Sequence, residues 1–451
     1  MTIKTRKILM ILGDIGIFYA SLYLALTIRT QTLVTQGVWA DHWPTFTVVF
    51  GLWIIGLYII DFYDLSSAKN DRKFIIRVGV AAAVLTTLAV LYFYTIPNLR
   101  IAPKTILIID VLITLALLIG WRLAFNKQAK NASHSLIAIG IGSSGQSLLQ
   151  EIQNTPQWGY KTVAIFDENA KPEFSPIPTF TTLDNLSQII SDTDTKTIVV
   201  DDKLYTSERY INTLFSIISP DITIIPLTLL YEQIAQKIPV QSISKSWFLE
   251  NISKHDHDIH DKIQRLVDIV FSLFLLVITL PLYPLIILAI KLDSPGPAFY
   301  RQERLGYLGK PFMMIKFRTM VEKAEKNGAQ WAQKNDPRIT RVGKWMRKSR
   351  IDELPQMMNI LKGEMSFIGP RAERQAFIEQ LEQELPFYKQ RLLVKPGASG
   401  WAQVNYKYGA SVEDALEKLQ YDLYYVKNRN WYLDASIVLK TIKIMSSLGG
   451  Q

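Results

Sequence analysis

The chain has 451 residues, room for two or three domains, and no cysteine, which excludes disulfides, thiolate metal sites and a cysteine nucleophile. Hydrophobic residues make up 49% and mean hydropathy is +0.12, values that point to membrane segments rather than a wholly soluble protein. The net charge of +10 is concentrated: residues 301–350 hold 14 Lys/Arg against 4 Asp/Glu, a block suited to phosphates or anionic headgroups, and no nucleic acid partner is expected of a largely membrane-bound chain.

Four apolar stretches fill the first quarter, at about Ile8–Ile28, Thr45–Tyr63, Ile76–Ile96 and Ile106–Leu123. Each approaches the roughly 20 residues of a spanning helix. The first lacks a small-residue cleavage site, so no cleavable signal is expected. Lys4, Arg6 and Lys7 precede the first span, Lys69, Arg72 and Lys73 follow the second, and Arg122, Lys127 and Lys130 follow the fourth. Cations concentrate on cytoplasmic loops, so both ends of the bundle are expected there. Asp14, Arg77 and Asp110 fall within or beside spans, where an intramembrane charge is a functional candidate and interfacial placement or interhelical pairing is the favoured explanation.

Residues 135–230 alternate strand and helix patterns, which argues a small parallel α/β domain. Strands are predicted at Ser135–Ile139, Thr162–Phe166, Thr197–Asp202 and Ile222–Ile225. Gly140, Gly142 and Gly145 match the dinucleotide fingerprint, with Asp167 about where a ribose-binding acid would lie; a tight turn retained for packing reads the same way. The linker Lys254–Lys262 holds three of five histidines, and His257 with His260 at i, i+3 spacing suits either a metal site or a polar lead-in to the next helix.

That helix, Leu266–Leu292, is interrupted by Pro281 and Pro284 and flanked by Lys262, Arg265, Lys291, Arg301 and Arg304. Two short arms with cations at both outer ends suit a helix that enters one leaflet and returns; a kinked spanning helix is the alternative. Beyond it, Phe312–Met320 reads as a strand, placing Lys316 and Arg318 on one face, where they suit either a diphosphate clamp or solvated strand charges. Asp352 and Glu353 are adjacent carboxylates among Arg347, Lys348, Arg350, Arg371 and Arg374. Carboxylates inside a cationic field suggest phosphate chemistry, one attacking or holding a metal while cations neutralise charge. Asp352 is expected to N-cap a helix running to about Lys362, with Gly363 as C-cap. The loop Lys395–Gln403 suits a base or sugar, and Asp422 and Asp434 are further candidate metal ligands.

From Leu266 onward these segments resemble the bacterial sugar transferases, the monotopic phosphoglycosyl transferases. The likeness rests on the interrupted helix, Lys291–Pro297, Lys316–Met320, Asp352–Gln356, Gly363–Arg371 and the Lys395–Gln403 loop. The whole chain is similar to large members typified by the galactose-phosphate transferase that initiates O-antigen synthesis. The implied fold class is a membrane helical bundle (1–130), a Rossmann-like α/β domain (131–250), and a re-entrant helix with a mixed α/β catalytic domain (251–451). The resemblance implies transfer of a hexose-1-phosphate from a UDP-sugar to undecaprenyl phosphate with Mg²⁺, at the cytoplasmic face of the inner membrane, by a homodimer, initiating surface polysaccharide. It makes Asp352 the nucleophile that carries the phosphosugar while UMP leaves, and Glu353 a metal ligand or base. Lys316, Arg318, Arg347 and Arg371 would hold phosphates, Lys395 would bind substrate, Gln403 would lie near the nucleotide, and Asp352, Glu353 and Asp422 would hold the metal. Two departures, Pro396-Gly-Ala-Ser-Gly400 and Val404–Gly409, affect base and sugar recognition. The competing reading is a membrane-anchored nucleotide-binding regulator working through Gly140–Asp167.

Overall fold

The computed structural model describes residues 3–65, 72–95, 104–131, 133–141, 143–168, 177–252, 258–322, 336–406, 409 and 411–446. Its contacts divide into two units, Met1–Ile234 and Ala235–Gln451. Among the described residues five helical segments are long and apolar enough to cross a membrane: Thr5–Thr30, Gln36–Ile59, Ile76–Thr95, Thr105–Gln128 and Asp258–Asp293.

The first four correspond to α1 (Ile3–Thr30), α2 (Gln36–Ile59), α3 (Arg72–Thr95) and α4 (Lys104–Asn131). Helices in lipid gain little from burying leucine, so close packing and hydrogen bonds hold them together. Arg122 of α4 donates to Asp14 of α1 at 2.7 Å, and Ser21 donates to Asp110 at 2.7 Å. The two intraspan aspartates therefore serve as interhelical partners. Trp53 Nε1 joins α2 to α3 through the Leu85 carbonyl at 2.9 Å.

The same unit continues with a parallel sheet in the order β3-β2-β1-β4-β5: β1 (His134–Ile139), β2 (Tyr160–Phe166), β3 (Thr179–Phe180), β4 (Thr197–Val200) and β5 (Thr223–Pro226). Its helices are α5 (Ser143–Asn154), α6 (Leu186–Thr193), α7 (Glu208–Ser216) and α8 (Leu227–Ala235). β1 and β4 bury Ile137, Ile139, Ile198 and Val200 on one face and Leu136, Ala138 and Val199 on the other, as strands covered on both faces must. The four expected strands are present; β3, two residues long, is too short to leave a pattern.

The second unit opens at Ala235, ahead of the expected boundary at 251. Ile238, Val240, Ile243 and Phe248, the last on α9 (Lys245–Ile252), pack with Leu381, Leu385 and Leu419, so this stretch belongs to the C-terminal core. The apolar helix is broken as its prolines require: α10 (Asp258–Thr279) passes through a 3-10 turn at Leu280–Leu282 into α11 (Tyr283–Asp293). Both arms pack on the same domain. Leu275 and Leu276 of α10 meet Phe312, Met314 and Met357, while Tyr283, Ile286 and Ile287 of α11 meet Phe317 and Met346. The outer faces, including Phe271, Phe274, Val277 and Leu285, are exposed.

The remaining elements are a hairpin of β6 (Phe299–Leu305) and β7 (Pro311–Phe317), α12 (Arg341–Ser349), α13 (Met357–Lys362), the parallel pair β8 (Ser366–Ile368) and β9 (Gly397–Ser399), and α14 (Gln375–Glu384). Three helices close the chain: α15 (Trp401–Asn405), α16 (Val412–Asn428) and α17 (Trp431–Ser446). Asp352 is not the N-cap expected of it. Arg350 ends α12 at φ 60°, residues Ile351–Gln356 form a 3-10 turn containing Pro355, and the α-helix begins only at Met357. Proline disfavours α-conformation in the residue before it, which accounts for the tighter turn. Gly363 ends α13 at φ +84°, as expected of a C-cap glycine.

Candidate active site

Strand alternation sends Met314 and Lys316 of β7 to one side, where they line a cleft of about 270 Å³ in all, counting space open to solvent. Glu353 lines it from the 3-10 turn, Arg371 from the segment after β8, and Arg304 from β6. Lys316 Nζ bonds Glu353 Oε1 at 2.8 Å, and Arg350 lies 3.6 Å from the same oxygen. Asp352, beside the cleft, is 7% exposed, and its Oδ1 accepts no hydrogen bond among the described residues.

The two acids are therefore driven apart. Burial raises Asp352 above the usual carboxylate range, the adjacent Glu353 charge adds to the rise, and Lys316, Arg347 and Arg350 oppose it. Burial acts upward on Glu353 too, but Lys316, Arg371 and Arg350 outweigh it and hold that acid below the usual range. Burial also lowers Lys316, against the pull of Glu353. Glu353 is the fixed anion of the pair, and Asp352 keeps an uncommitted oxygen.

Several residues hold this geometry. Fully buried Asn359 accepts from Ile315 N at 3.1 Å and donates to Met313 O at 2.8 Å, locking α13 to β7. Ile351 and Leu354, flanking the acids, pack against α11 in one cluster, so the acidic turn rests on the broken helix. At Gly369 any Cβ would collide with the Lys395 and Gly397 backbones, and this close approach carries the chain into Arg371.

The expected residues do not all converge. Lys316, Glu353 and Arg371 line the cleft; Arg347 acts on Asp352 while its Nε donates to Thr319 at 2.9 Å. Arg318 does not share a clamp with Lys316: β7 ends at Phe317, and Arg318 turns onto Ser294 O at 2.7 Å and Ser294 Oγ at 3.1 Å. Lys395 is half-buried near Arg265 and Asp268 rather than the acids; burial lowers it first, then Arg265. Gln403 stands behind the lining residue Ala398. Asp422 does not join the proposed metal set, because it is buried against Arg391 at 2.6 Å. Asp434 bonds His260 at 2.8 Å, and His257 lies outside the described residues. Met314, Asn359 and Met365 escaped the sequence reading, and Arg304, read there only as a cation flanking the apolar helix, lines the cleft. An amide inside a short, otherwise apolar helix was the available signal for Asn359.

The sequence profile of the bacterial sugar transferase family matches residues 259–447, and that of a CoA-binding domain matches 58–200. A Bacillus subtilis protein described as a putative undecaprenyl-phosphate N-acetylgalactosaminyl 1-phosphate transferase is 54% identical over 130 residues, covering 29% of this chain and 73% of that one. The UDP-N-acetylgalactosamine-undecaprenyl-phosphate N-acetylgalactosaminephosphotransferase of Aeromonas hydrophila is 49% identical over 180 residues, 39% of this chain and 43% of its own length. The UDP-galactose-lipid carrier transferase of Erwinia amylovora is 28% identical over 344 residues, covering 70% of this chain and 68% of that one. The chain belongs to the bacterial sugar transferase family. The match spans less than half of the Aeromonas protein.

Proposed function

We propose that this protein transfers a sugar-1-phosphate, from a UDP-hexose or UDP-N-acetylhexosamine, to undecaprenyl phosphate through a phosphosugar covalently held on Asp352. The observation that carries this reading is the uncommitted Asp352 oxygen in a cationic turn seated on a broken, lipid-suited helix. The Asp352 carboxylate attacks the phosphorus bonded to the sugar. A phosphorus–oxygen bond forms, and the diphosphate bridge breaks with its electron pair leaving on UMP. An oxygen of undecaprenyl phosphate then attacks the same phosphorus, and the carboxylate departs free. Lys316, Arg347 and Arg371 offset the repulsion of anion attacking anion.

The donor set suits Mg²⁺ brought with a diphosphate: hard oxygens from Asp352 and Glu353 are present, and among the described residues no group of three acids or histidines forms a cage of its own. Bound there, the ion would neutralise developing phosphate charge. Glu353, already fixed as an anion by Lys316, would orient it. The helix pair α10–α11 would enter one leaflet of the inner membrane and return, keeping the cleft at headgroup depth on the cytoplasmic side.

Purified protein in detergent, given undecaprenyl phosphate, Mg²⁺ and a panel of UDP-sugars, should release UMP with at least one donor. Release of UDP, or no release with any donor, would contradict the reading.

A further inference from the structure

The α/β half of the first unit contributes no residue to the lining of the cleft described above, yet the CoA-binding profile and the Gly140–Gly145 spacing both raise a coenzyme there. The residues present do not fit one. In a sheet of this kind a pyrophosphate lies at the carboxyl ends of the central strands, against the turn that leaves β1. Here β1 is central, paired with β2 on one side and β4 on the other. Gly140 leaves β1 at φ +70°, and a Cβ on it would collide with the Leu204 side chain, so an isobutyl group already occupies the space beside Gly140; Gly142 lies outside the described residues.

Leu204 is held there from three directions. Asp201 N donates to Ile139 O at 3.0 Å, anchoring the segment to the end of β1. The Asp201 carboxylate accepts from Lys203 N at 2.9 Å and caps the 3-10 turn Asp202–Thr206 that bears Leu204. Asp202 accepts from Thr228 N at 3.1 Å and from Thr228 Oγ1 at 2.7 Å, tying the turn to the start of α8. Burial pushes Asp201 up, Lys203 pulls it back, and nearby Asp202 and Asp167 add a smaller push, so three acids and one lysine already interact at this end of the strands.

At the amino ends of the central strands the module grips the membrane helices. Arg6 of α1 is 3% exposed and donates Nη1 to Gln157 O at 3.2 Å. Gly159, at φ +84°, is where a Cβ would collide with the Arg6 guanidinium. The carboxyl part of α4 packs on the same Pro156–Trp158 turn, and His134 N, opening β1 just beyond α4, donates to Gly159 O at 2.8 Å. We propose that the α/β module takes no CoA or dinucleotide and serves as a bracket holding the amino end of α1 against the carboxyl end of α4.

Two measurements on the full chain in detergent test this. Calorimetric titration with CoA and with NAD⁺ should give no saturable heat; saturable binding of either at micromolar concentration would overturn the first half. Arg6→Ala and Gly159→Ala should each lower the thermal midpoint, and the double variant should lose less than the sum, because the collision at position 159 vanishes with the guanidinium. An unchanged midpoint for Arg6→Ala, or strict additivity in the double variant, would overturn the bracket.

Discussion

The Asp352–Glu353 pair with Lys316 and the Asp422–Arg391 pair both set acid against base within the same unit, and their surroundings diverge in one respect. Asp422 has a guanidinium 2.6 Å away, and that guanidinium also donates to Tyr388 OH at 2.8 Å and Arg371 O at 3.2 Å. Its bonding is spent on holding α16 to the core. Glu353 plays the equivalent role at the cleft, bound to Lys316, and in doing so frees Asp352 from any such duty. A buried acid with a matched partner braces the fold. One kept beside cations but, among the described residues, in no ion pair of its own is available to react.

The contrast breaks first at Asp352. Asp352→Asn should cut UMP release by roughly three orders of magnitude or more while leaving the thermal midpoint nearly unchanged, as expected for a nucleophile. Turnover within tenfold of the parent would reject the covalent route. Lys316→Met should cost about 10²- to 10³-fold in kcat, since it removes a cation from the phosphate path and loosens Glu353. Steady-state kinetics across Mg²⁺ and donor concentrations would measure it.

Asp422→Ala should reverse the pattern. Stranding Arg391 in the interior should destabilise the unit by about 3–5 kcal/mol, seen as a lowered midpoint, with kcat per folded molecule little changed. A stable but inactive Asp422→Ala protein would mean the two acids do not differ as described.

The smallest effect concerns pH. Asp352 must be ionised to attack and sits above the usual carboxylate range, so kcat/KM should fall as pH drops through an acidic limb placed higher than an ordinary aspartate's. Arg350 pulls that limb down, so Arg350→Gln should move it to higher pH; a shift to lower pH would contradict the electrostatics.

Much of this was legible in the sequence because it rests on local chemistry. Hydropathy located the four N-terminal spans, β-branched runs located four of five strands, and two prolines located the break in the membrane helix. The acid pair stood out as carboxylates inside a basic block. What escaped depends on three dimensions. Strand parity placed Lys316 and Arg318 together, but β7 stops between them and a turn at Ser294 captures Arg318. Capping rules assigned Asp352 to a helix start, whereas Pro355 and the left-handed Arg350 impose a 3-10 turn. Asp422 resembled a metal ligand because nothing in its neighbourhood along the chain reveals that Arg391 folds back onto it.

The most direct test is to incubate the protein with a UDP-sugar that supports turnover, omitting undecaprenyl phosphate, and to map the promptly digested protein by mass spectrometry at a pH where an acyl phosphate survives. The peptide containing Asp352 should gain the mass of one sugar phosphate in amounts matching the UMP released, and should lose it when undecaprenyl phosphate is added. Recovery of that peptide unmodified, alongside a full equivalent of UMP or an adduct on another side chain, would contradict the assignment.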